Sequence, residues 1–230
     1  MMKEVIVIGG GVIGLCSAYY LVKAGHKVTV IDQSSMDGGA SFVNAGYLTP
    51  SHIIPLAAPG AVKQGIKWMF NASSPFYIKP RLDKSLFEWA WAFNKSCTKE
   101  NVNKSIPVIK DINLLSARLF SEIKQEEGFN FHLKNNGLLV LCQSEKMLEE
   151  EIHIARIAAA EGLEVKEISK SNIPNIEIGA KVEAVGAVHY ACDWHSTPHE
   201  FMNDLQSWLK AEGVQIFKNE QITTLEASQD

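Results

Sequence analysis

The chain has 230 residues, of which 46% are hydrophobic and 21% charged, and it carries a formal net charge of −4. This composition is ordinary for a globular protein with its own core, and the negative charge gives no electrostatic basis for binding nucleic acid. No apolar run approaches the ~20 residues that span a bilayer. Four widely separated cysteines without a Cys-x-x-Cys pair predict reduced thiols in a cytoplasmic protein: Cys16, Cys97, Cys142 and Cys192.

The most informative stretch of the sequence covers residues 5–32. It predicts, in order, a buried strand over Val5–Ile8, a turn with Gly9, Gly11 and Gly14, a helix over about Val12–Ala24 and a parallel strand over Lys27–Ile31. Gly9 allows a sharp exit from the strand, Gly11 lets a pyrophosphate approach the backbone, and Gly14 lets the helix pack closely on the sheet. The stretch therefore predicts a dinucleotide-binding site, with a glycine-rich turn that binds no ligand as the alternative.

Asp32 follows the second predicted strand and supplies a carboxylate that can accept hydrogen bonds from ribose hydroxyls. Gln33 comes next, and no arginine lies nearby in the sequence to pair with a 2′-phosphate. The pattern therefore argues against NADP as the dinucleotide.

The rest of the sequence mixes helices and strands. Residues 33–80 are predicted to be irregular because prolines interrupt them, with one short helix over about Ala61–Phe70. Later predicted helices are Leu86–Phe93, a long helix from Ser105 and Pro107 to Gly128, Glu145–Glu161, and a helix from Thr197 and Pro198 to Gly213. Predicted strands are Leu163–Ile168, Gly186–Tyr190, Val214–Lys218 and Gln221–Glu226, together with a hairpin of Phe129–Leu133 and Gly137–Cys142 around Asn135-Asn136-Gly137.

Three stretches carry a resemblance to a known family: GGGVIG (Gly9–Gly14), ASFVNAG (Ala40–Gly46), and PLAAPG (Pro55–Gly60) followed by IKWMF (Ile66–Phe70). They resemble the FAD-dependent amine oxidoreductases that include D-amino-acid oxidase, glycine oxidase and sarcosine oxidase, and within that family most closely the bacterial D-amino-acid dehydrogenases. The third stretch is the most specific of the three. The resemblance covers nearly the whole chain but only about the first half of a family member.

The resemblance implies FAD as the cofactor and indicates which residues contact it. Residues implied to hold the pyrophosphate are Gly9, Gly11, Val12, Ile13 and Gly14. Asp32 and Gln33 are implied to meet the adenosine ribose, and Ile222 to contact the adenine through its main chain. Residues implied to run beneath the flavin are Ser41, Asn44, Ala45, Gly46 and Tyr47. The chain departs from its relatives at Ala40, where many have threonine, so one phosphate contact is in doubt.

The implied fold is α/β, with a Rossmann-like FAD-binding domain of the glutathione-reductase type, a βαβ N-terminus and an α+β substrate domain, in truncated form. We expect an FAD-binding segment over 1–80, a portion of the substrate domain over 81–192 and a second FAD-binding segment over 193–230. The chain ends on a predicted strand, and Val214–Lys218 alone supplies a further parallel strand, so we expect the N-terminal portion of a longer protein.

The resemblance implies oxidation of a D-amino acid by hydride transfer to the flavin, giving an imine and then a 2-oxo acid, with a quinone as electron acceptor. A bidentate arginine would suit the substrate carboxylate. In the family this arginine lies in the later half, while this chain has only Arg81, Arg118 and Arg156. No catalytic residue is therefore predicted, and the 230-residue chain alone is expected to be inactive. No oligomeric state is predicted.

Two groups of residues have a structural and a functional interpretation. His189, His195 and His199 with Asp193 and Cys192 are interpreted as ordinary loop residues, and no metal is expected. His52 is also interpreted as structural. Aromatic residues between 68 and 91 are interpreted as core packing, with a peripheral contact to the inner face of the membrane as the alternative; these residues and their basic neighbours are Trp68, Phe70, Phe76, Tyr77, Trp89, Trp91, Lys63, Lys67 and Lys79.

Three functional alternatives remain open at the level of sequence. Within the family, the protein could oxidise glycine, sarcosine or proline instead of a D-amino acid. An NAD-linked dehydrogenase could share the same start, although the sequence lacks continuous strand–helix alternation after Asp32. A non-catalytic nucleotide-binding fragment is the third.

Overall fold

The computed structural model describes residues 1–62, 65, 83–177 and 179–226. Its strands are β1 (Glu4–Ile8), β2 (Lys27–Asp32), β3 (Tyr47–Leu48), β4 (Leu133–Lys134), β5 (Leu138–Cys142), β6 (Val165–Ser169), β7 (Gly186–Tyr190), β8 (Trp194–Ser196) and β9 (Gln215–Lys218). Its helices are α1 (Val12–Lys23), α2 (Lys84–Ser96), α3 (Lys99–Glu126), α4 (Glu145–Ala160), α5 (Ile173–Ile176) and α6 (Pro198–Ala211), with a 3₁₀ turn over Lys170–Asn172 before α5.

The chain forms two compact units. Unit 1 contains Met1–Leu48, Leu119–Asn136 and Trp194–Asp230, and unit 2 contains Thr49–Arg118 and Gly137–Asp193. The three functional segments expected from the sequence remain a prediction, because that division concerns the roles of the segments.

Unit 1 is built on a parallel sheet with the strand order β1-β2-β9. The central strand β2 buries Val28 and Val30, and the core of the unit also contains Leu15 of α1 with Leu205 and Leu209 of α6. Leu205 and Leu209 lie on the same face of the amphipathic helix α6, as a helical period of 3.6 residues requires. The predicted βαβ start and the later parallel strand are confirmed.

A second, smaller sheet in unit 1 has the antiparallel order β3-β8-β4. The predicted hairpin is wrong, because β4 pairs with β8 while β5 pairs with β7. Gly137 has φ +78°, and its N–H donates to the carbonyl of the distant Asp193 at 3.1 Å. The glycine thus adopts the positive φ expected of a turn residue, but more distant segments determine which strands pair.

Unit 2 contains an antiparallel sheet with the order β5-β7-β6. The central strand β7 has Ala187 and Val188 fully buried, and α4 contributes Ala155 and Ala158 to the cores of the unit. Ser144 caps α4 by accepting a hydrogen bond from the N–H of Met147 at 3.3 Å. The predicted helix and the predicted strand over Gly186–Tyr190 are confirmed.

Two predicted boundaries are wrong for physical reasons. Helix α3 begins at Lys99 rather than near Pro107, since the hydroxyl of Thr98 accepts from the N–H of Asn101 at 3.2 Å and Pro107 is accommodated inside the helix. Residues 221–226, predicted to form a strand, are exposed and have no strand partner among the described residues. Asn219, with φ +60°, leaves the extended conformation directly after β9.

Helix α2 confirms the predicted helix over Leu86–Phe93, but its aromatic side chains are not packed in a core. None of its side chains is buried, and Phe87, Trp89 and Trp91 are 60%, 48% and 64% exposed. Core packing is therefore the wrong interpretation for Trp89 and Trp91. The remaining residues of that aromatic and basic group, most of the predicted helix Ala61–Phe70, the stretch Ile66–Phe70 and Arg81 lie outside the described residues.

Candidate dinucleotide-binding site

The turn between β1 and α1 has two glycines that the fold itself requires. Gly9 has φ +104°, and its N–H donates to the carbonyl of Ile31 at 2.8 Å, which fixes the exit from β1. A Cβ on Gly14 would collide with the carbonyl oxygen of Gly9, so only glycine lets α1 start this close to the strand. These contacts agree with the roles that the sequence predicted for both residues.

Gly11 is a different case, because nothing in the protein backbone demands glycine there. It caps α1 with φ −72° and ψ 179°, which any residue adopts, and a Cβ would meet only the hydroxyl oxygen of Ser41, at 3.2 Å. The missing side chain leaves the helix N-terminus open. The first turn of α1 contains no acidic residue to neutralise its free N–H groups. This opening fits the pyrophosphate of a dinucleotide.

Ser41 completes the phosphate side of the site. Its hydroxyl oxygen accepts a hydrogen bond from the N–H of Val12 at 3.1 Å and so caps one of the free donors of α1. A hydroxyl that accepts in this way can still donate its own proton. Ser41 can therefore stabilise the helix and donate to a phosphate oxygen at the same time.

Asp32 lies beside the glycine turn and is already hydrogen-bonded by the protein. Its Oδ2 accepts from the N–H of Gly10 at 2.6 Å, and its Oδ1 accepts from the N–H and the hydroxyl of Ser34 at 2.7 and 2.6 Å. Burial raises the pKa of Asp32, but the hydrogen bonds from Ser34 and Gly10 and the positive charge of Lys218 outweigh that effect and lower it. The carboxylate is thus ionised at neutral pH and acts only as an acceptor.

These residues share a cavity of about 150 Å³, which suits part of a dinucleotide rather than all of it. The residues that line it are Gly10, Gly11, Asp32, Ser34, Met36, Gly39, Ala40, Ser41, Phe42 and Met202. The cavity brings together Gly11, Asp32 and Ser41 as predicted. Sequence reasoning missed Ser34 and Met36. A serine two residues after an aspartate is a known signal for a local side-chain turn, whereas nothing in the sequence pointed to Met36.

Met36 has an unusual place in this cavity. Its backbone has φ +62°, which is uncommon for a residue other than glycine, and its side chain is 5% exposed. A Cβ on Gly10 would collide with the Met36 side chain. Glycine at position 10 therefore leaves the space that the Met36 side chain occupies, a contact that the sequence motif does not contain.

The predicted flavin-side segment forms a hydrogen-bonded turn. Asn44 accepts from the N–H of Gly46 at 2.8 Å and donates to the carbonyls of Ala40 and Ser41 at 3.0 and 3.2 Å. Gly46 has φ +73°, and a Cβ there would collide with the carbonyl oxygen of Ser196. The side-chain amide of Asn44 and the missing side chain of Gly46 thus determine the conformation of this segment.

Ten of the thirteen predicted contact residues do not line the cavity; besides Gly9, Gly14, Asn44 and Gly46, described above, they are Val12, Ile13, Gln33, Ala45, Tyr47 and Ile222. Val12 contributes its backbone N–H to Ser41, while Ile13 is 81% exposed and Gln33 is also exposed. Tyr47 is 60% exposed in β3, and Ile222 is 39% exposed after β9. Their roles, and that of the exposed Ala45, stay predictions.

The interpretation of three histidines as loop residues is wrong, because His189 lies in β7, His195 in β8 and His199 in the first turn of α6. In the described part of the chain, no group of three or more His, Cys, Asp or Glu residues could hold a metal ion. Asp193 is buried and accepts from the N–H and the hydroxyl of Ser51 at 2.9 and 2.6 Å. His52, Arg118 and Arg156 are exposed.

The four cysteines are free thiols. Burial raises the pKa of the Cys16 thiol to about 11. Burial, followed by the negative charge of Asp193, raises the pKa of Cys192 to about 12. Neither thiol is a nucleophile at neutral pH, since the thiolate is the reactive form.

Comparison with known proteins decides which dinucleotide site this is. The model of the DAO family, described as FAD dependent oxidoreductase, matches residues 4–230. The chain belongs to this family. The family is FAD-dependent, so the predicted cofactor is confirmed, and the open helix N-terminus at Gly11 with the Ser41 hydroxyl fits its pyrophosphate.

Two curated relatives carry the name D-amino acid dehydrogenase. The protein from Helicobacter pylori is 30% identical over 226 residues, which are 98% of this chain and 54% of that protein. The protein from Vibrio atlanticus is 32% identical over 228 residues, which are 96% of this chain and 54% of that protein. The chain therefore spans about half the length of the curated relatives it matches.

Solved structures share the fold at low sequence identity. Glycine oxidase from Geobacillus kaustophilus matches with a TM-score of 0.64 and 18% identity, over 95% of this chain and 47% of that one. The L-alpha-glycerophosphate oxidase from Mycoplasma pneumoniae, solved with FAD bound, matches with a TM-score of 0.60 and 18% identity, over 97% of this chain and 46% of that one. These matches support the predicted fold class. Among the helices of the described residues, none has the length and apolar character needed to cross a membrane.

Proposed function

We propose that this chain is the FAD-binding part of an enzyme that oxidises a D-amino acid to the imine, which water converts to a 2-oxo acid and ammonia. The observation that carries the proposal is the open N-terminus of α1 at Gly11, a site for a dinucleotide pyrophosphate in a chain of an FAD-dependent family. The name shared by its relatives supports the D-amino acid as substrate. Glycine, sarcosine or proline oxidation is the alternative within the family.

Different residues of the described structure are proposed to bind different parts of FAD. The first-turn N–H groups of α1 and the hydroxyl of Ser41 bind the pyrophosphate, and Asp32 accepts from a ribose hydroxyl through the remaining lone pair of Oδ2. Asn44 fixes the turn by accepting from the N–H of Gly46, and the backbone of this turn would lie along the flavin. FAD, when bound, accepts a hydride from the substrate, so these residues bind and orient rather than react.

The absorption spectrum of the purified protein, reconstituted with FAD and kept free of oxygen, tests this function. In a longer protein that contains this FAD-binding part, D-alanine should bleach the visible flavin band and L-alanine should leave it unchanged. The 230-residue chain alone should show little or no turnover, because the arginine for the substrate carboxylate is expected in the later half. Bleaching by glycine, sarcosine or proline but not by D-alanine would select the alternative substrates. A flavin in the longer protein that none of these amines reduces would overturn the proposed oxidation of an amino acid, and robust D-alanine oxidation by the 230-residue chain would contradict the expected need for the later half.

We also propose that electrons pass to a quinone in the membrane and that α2 contacts the membrane surface. The exposed Phe87, Trp89 and Trp91 offer aromatic rings to the interface, and the ammonium of Lys95 lies 3.5 Å from the centroid of the Trp91 ring. Aromatic residues with neighbouring basic groups favour the interface of an anionic bilayer.

Co-sedimentation with vesicles that contain anionic lipid tests this membrane contact. The double variant Trp89→Ser, Trp91→Ser should lose most of the binding of the unmodified chain. Val108→Ser, at a 66% exposed position of α3, is the matched control and should bind normally. Equal binding by all three proteins, or none by the unmodified chain, would contradict the contact.

A further inference from the structure

Two histidines of unit 1 face each other on the small sheet β3-β8-β4. His195 is the middle residue of β8, and its register partners are Tyr47 in β3 and Lys134 in β4. His132 comes two residues before Lys134, and because side chains alternate along extended backbone, it points to the same face. The two Nε2 atoms are 3.2 Å apart, and the ring centroids are 5.1 Å apart.

The backbones that carry these rings are fixed by hydrogen bonds. The N–H of His132 donates to Oε2 of Glu200 at 2.7 Å, and its carbonyl accepts from the N–H of Thr197 at 3.1 Å. His195 is held between two strands, and the next residue, Ser196, donates its N–H to the carbonyl of Gly46 at 2.8 Å. The approach of the rings is therefore built into the sheet.

We propose that His132 and His195 form a binding site for a borderline divalent transition-metal ion, such as Zn²⁺ or Ni²⁺, whose coordination water completes. Two imidazole nitrogens bound at about 2.0–2.1 Å in tetrahedral geometry lie about 3.3–3.4 Å from each other. The Nε2 atoms already have nearly this separation, so binding requires little movement. A metal ion binds neutral imidazole nitrogen, so protons compete with it for the site.

The surrounding charges set the strength of this site. The carboxylate of Glu200, hydrogen-bonded at the backbone of His132, favours a cation, whereas the ammonium of Lys134, opposite His195, opposes it. Because the described residues provide no third ligand group, the affinity should be lower than that of a structural zinc site with four protein ligands. The site does not rest on the proposed enzyme activity.

A bound ion would join β8 to the residues that lead into β4. Since β8 also pairs with β3, the ion would stabilise the sheet that carries Gly46 and Tyr47. A ligand that binds only the folded state raises its stability by mass action. Metal binding and thermal stability should therefore change together.

Titration of the 230-residue chain with Ni²⁺ tests the proposal, followed by the imidazole ¹⁵N resonances and by thermal unfolding. The resonances of His132 and His195 should shift with one common affinity, and Ni²⁺ should raise the melting temperature. His132→Gln and His195→Gln should each weaken this binding at least tenfold and abolish the stabilisation. His153→Gln, at an exposed position of α4, is the control and should bind as the unmodified chain does.

Lys134→Gln provides an independent test, because removal of the opposing charge should tighten Ni²⁺ binding severalfold. Two results would overturn the proposal. One is the absence of Ni²⁺-dependent shifts in His132 and His195 at millimolar metal, and the other is unchanged affinity in both histidine variants.

Discussion

The two sides of the turn between β1 and α1 obey different constraints, although the same glycine motif contains both. On the packing side, Gly9 and Gly14 are glycines because the protein backbone leaves no other choice. On the open side, Gly11 has ordinary dihedral angles and one tolerable neighbour. A glycine of the motif that neither its dihedral angles nor its protein neighbours require is best explained by a bound ligand. A glycine that they do require is explained by the fold alone.

The largest effect is expected on the packing side. Gly14→Ala places a methyl group against the carbonyl oxygen of Gly9 and should destabilise the protein by about 3 kcal/mol, at the upper end for an overpacked site. Denaturant unfolding measures the change. Gly38→Ala is the control, because a Cβ there meets nothing within 4 Å and its φ is not positive. If both variants unfold like the unmodified protein, the packing side has no special constraint.

Asp32 has a role on each side of the turn, because it accepts a hydrogen bond from the Gly10 N–H and is proposed to accept one from the ribose. Asp32→Ala removes the acceptor of the Gly10 N–H and of a ribose hydroxyl, and FAD binding should weaken by about 1–3 kcal/mol. Asp32→Asn, which keeps one oxygen acceptor, should lose less. Fluorescence titration with FAD gives both affinities, and affinities equal to that of the unmodified chain would remove Asp32 from the site.

The free energy of unfolding should depend on pH in acidic solution because Asp32 becomes protonated there. Since its folded pKa is lowered, the carboxylate contributes stability that is fully present above the ordinary value of 3.8 and is lost as the pH falls through the lower folded value. The difference in unfolding free energy between the unmodified chain and Asp32→Asn should be constant from pH 7 to about pH 5. It should shrink in more acidic solution, and a difference that grows there would contradict the assigned pKa direction.

Ser41 should give the smallest effect. Ser41→Ala removes the cap on the N–H of Val12, which should reduce stability by about 1 kcal/mol. It should also weaken FAD binding several-fold through the lost phosphate hydrogen bond. Ser41→Thr keeps the hydroxyl and serves as the control. A loss of stability with no loss of FAD affinity would confine Ser41 to the capping role.

Features that depend on short-range sequence patterns could be predicted from the sequence, whereas features that depend on contacts between distant segments could not. The glycine turn, Asp32 and the parallel strands around them follow from short-range patterns, and the structure has them where they were expected. The hairpin around Gly137 failed because β4 and β5 each pair with a strand from residues 186–196, and no local pattern reports such pairing. Met36 was missed for the same reason, since its contact with Gly10 joins two loops.

FAD titration of Gly11→Val beside the unmodified chain and Gly38→Ala shows whether the open side of the turn binds the cofactor. We expect all three proteins to fold with similar circular dichroism and only Gly11→Val to lose affinity for FAD, by about a hundredfold or more, because its side chain occupies the pyrophosphate position. Gly11→Val that folds normally and binds FAD as tightly as the other two proteins would contradict the claim that the open side of this turn is the cofactor site.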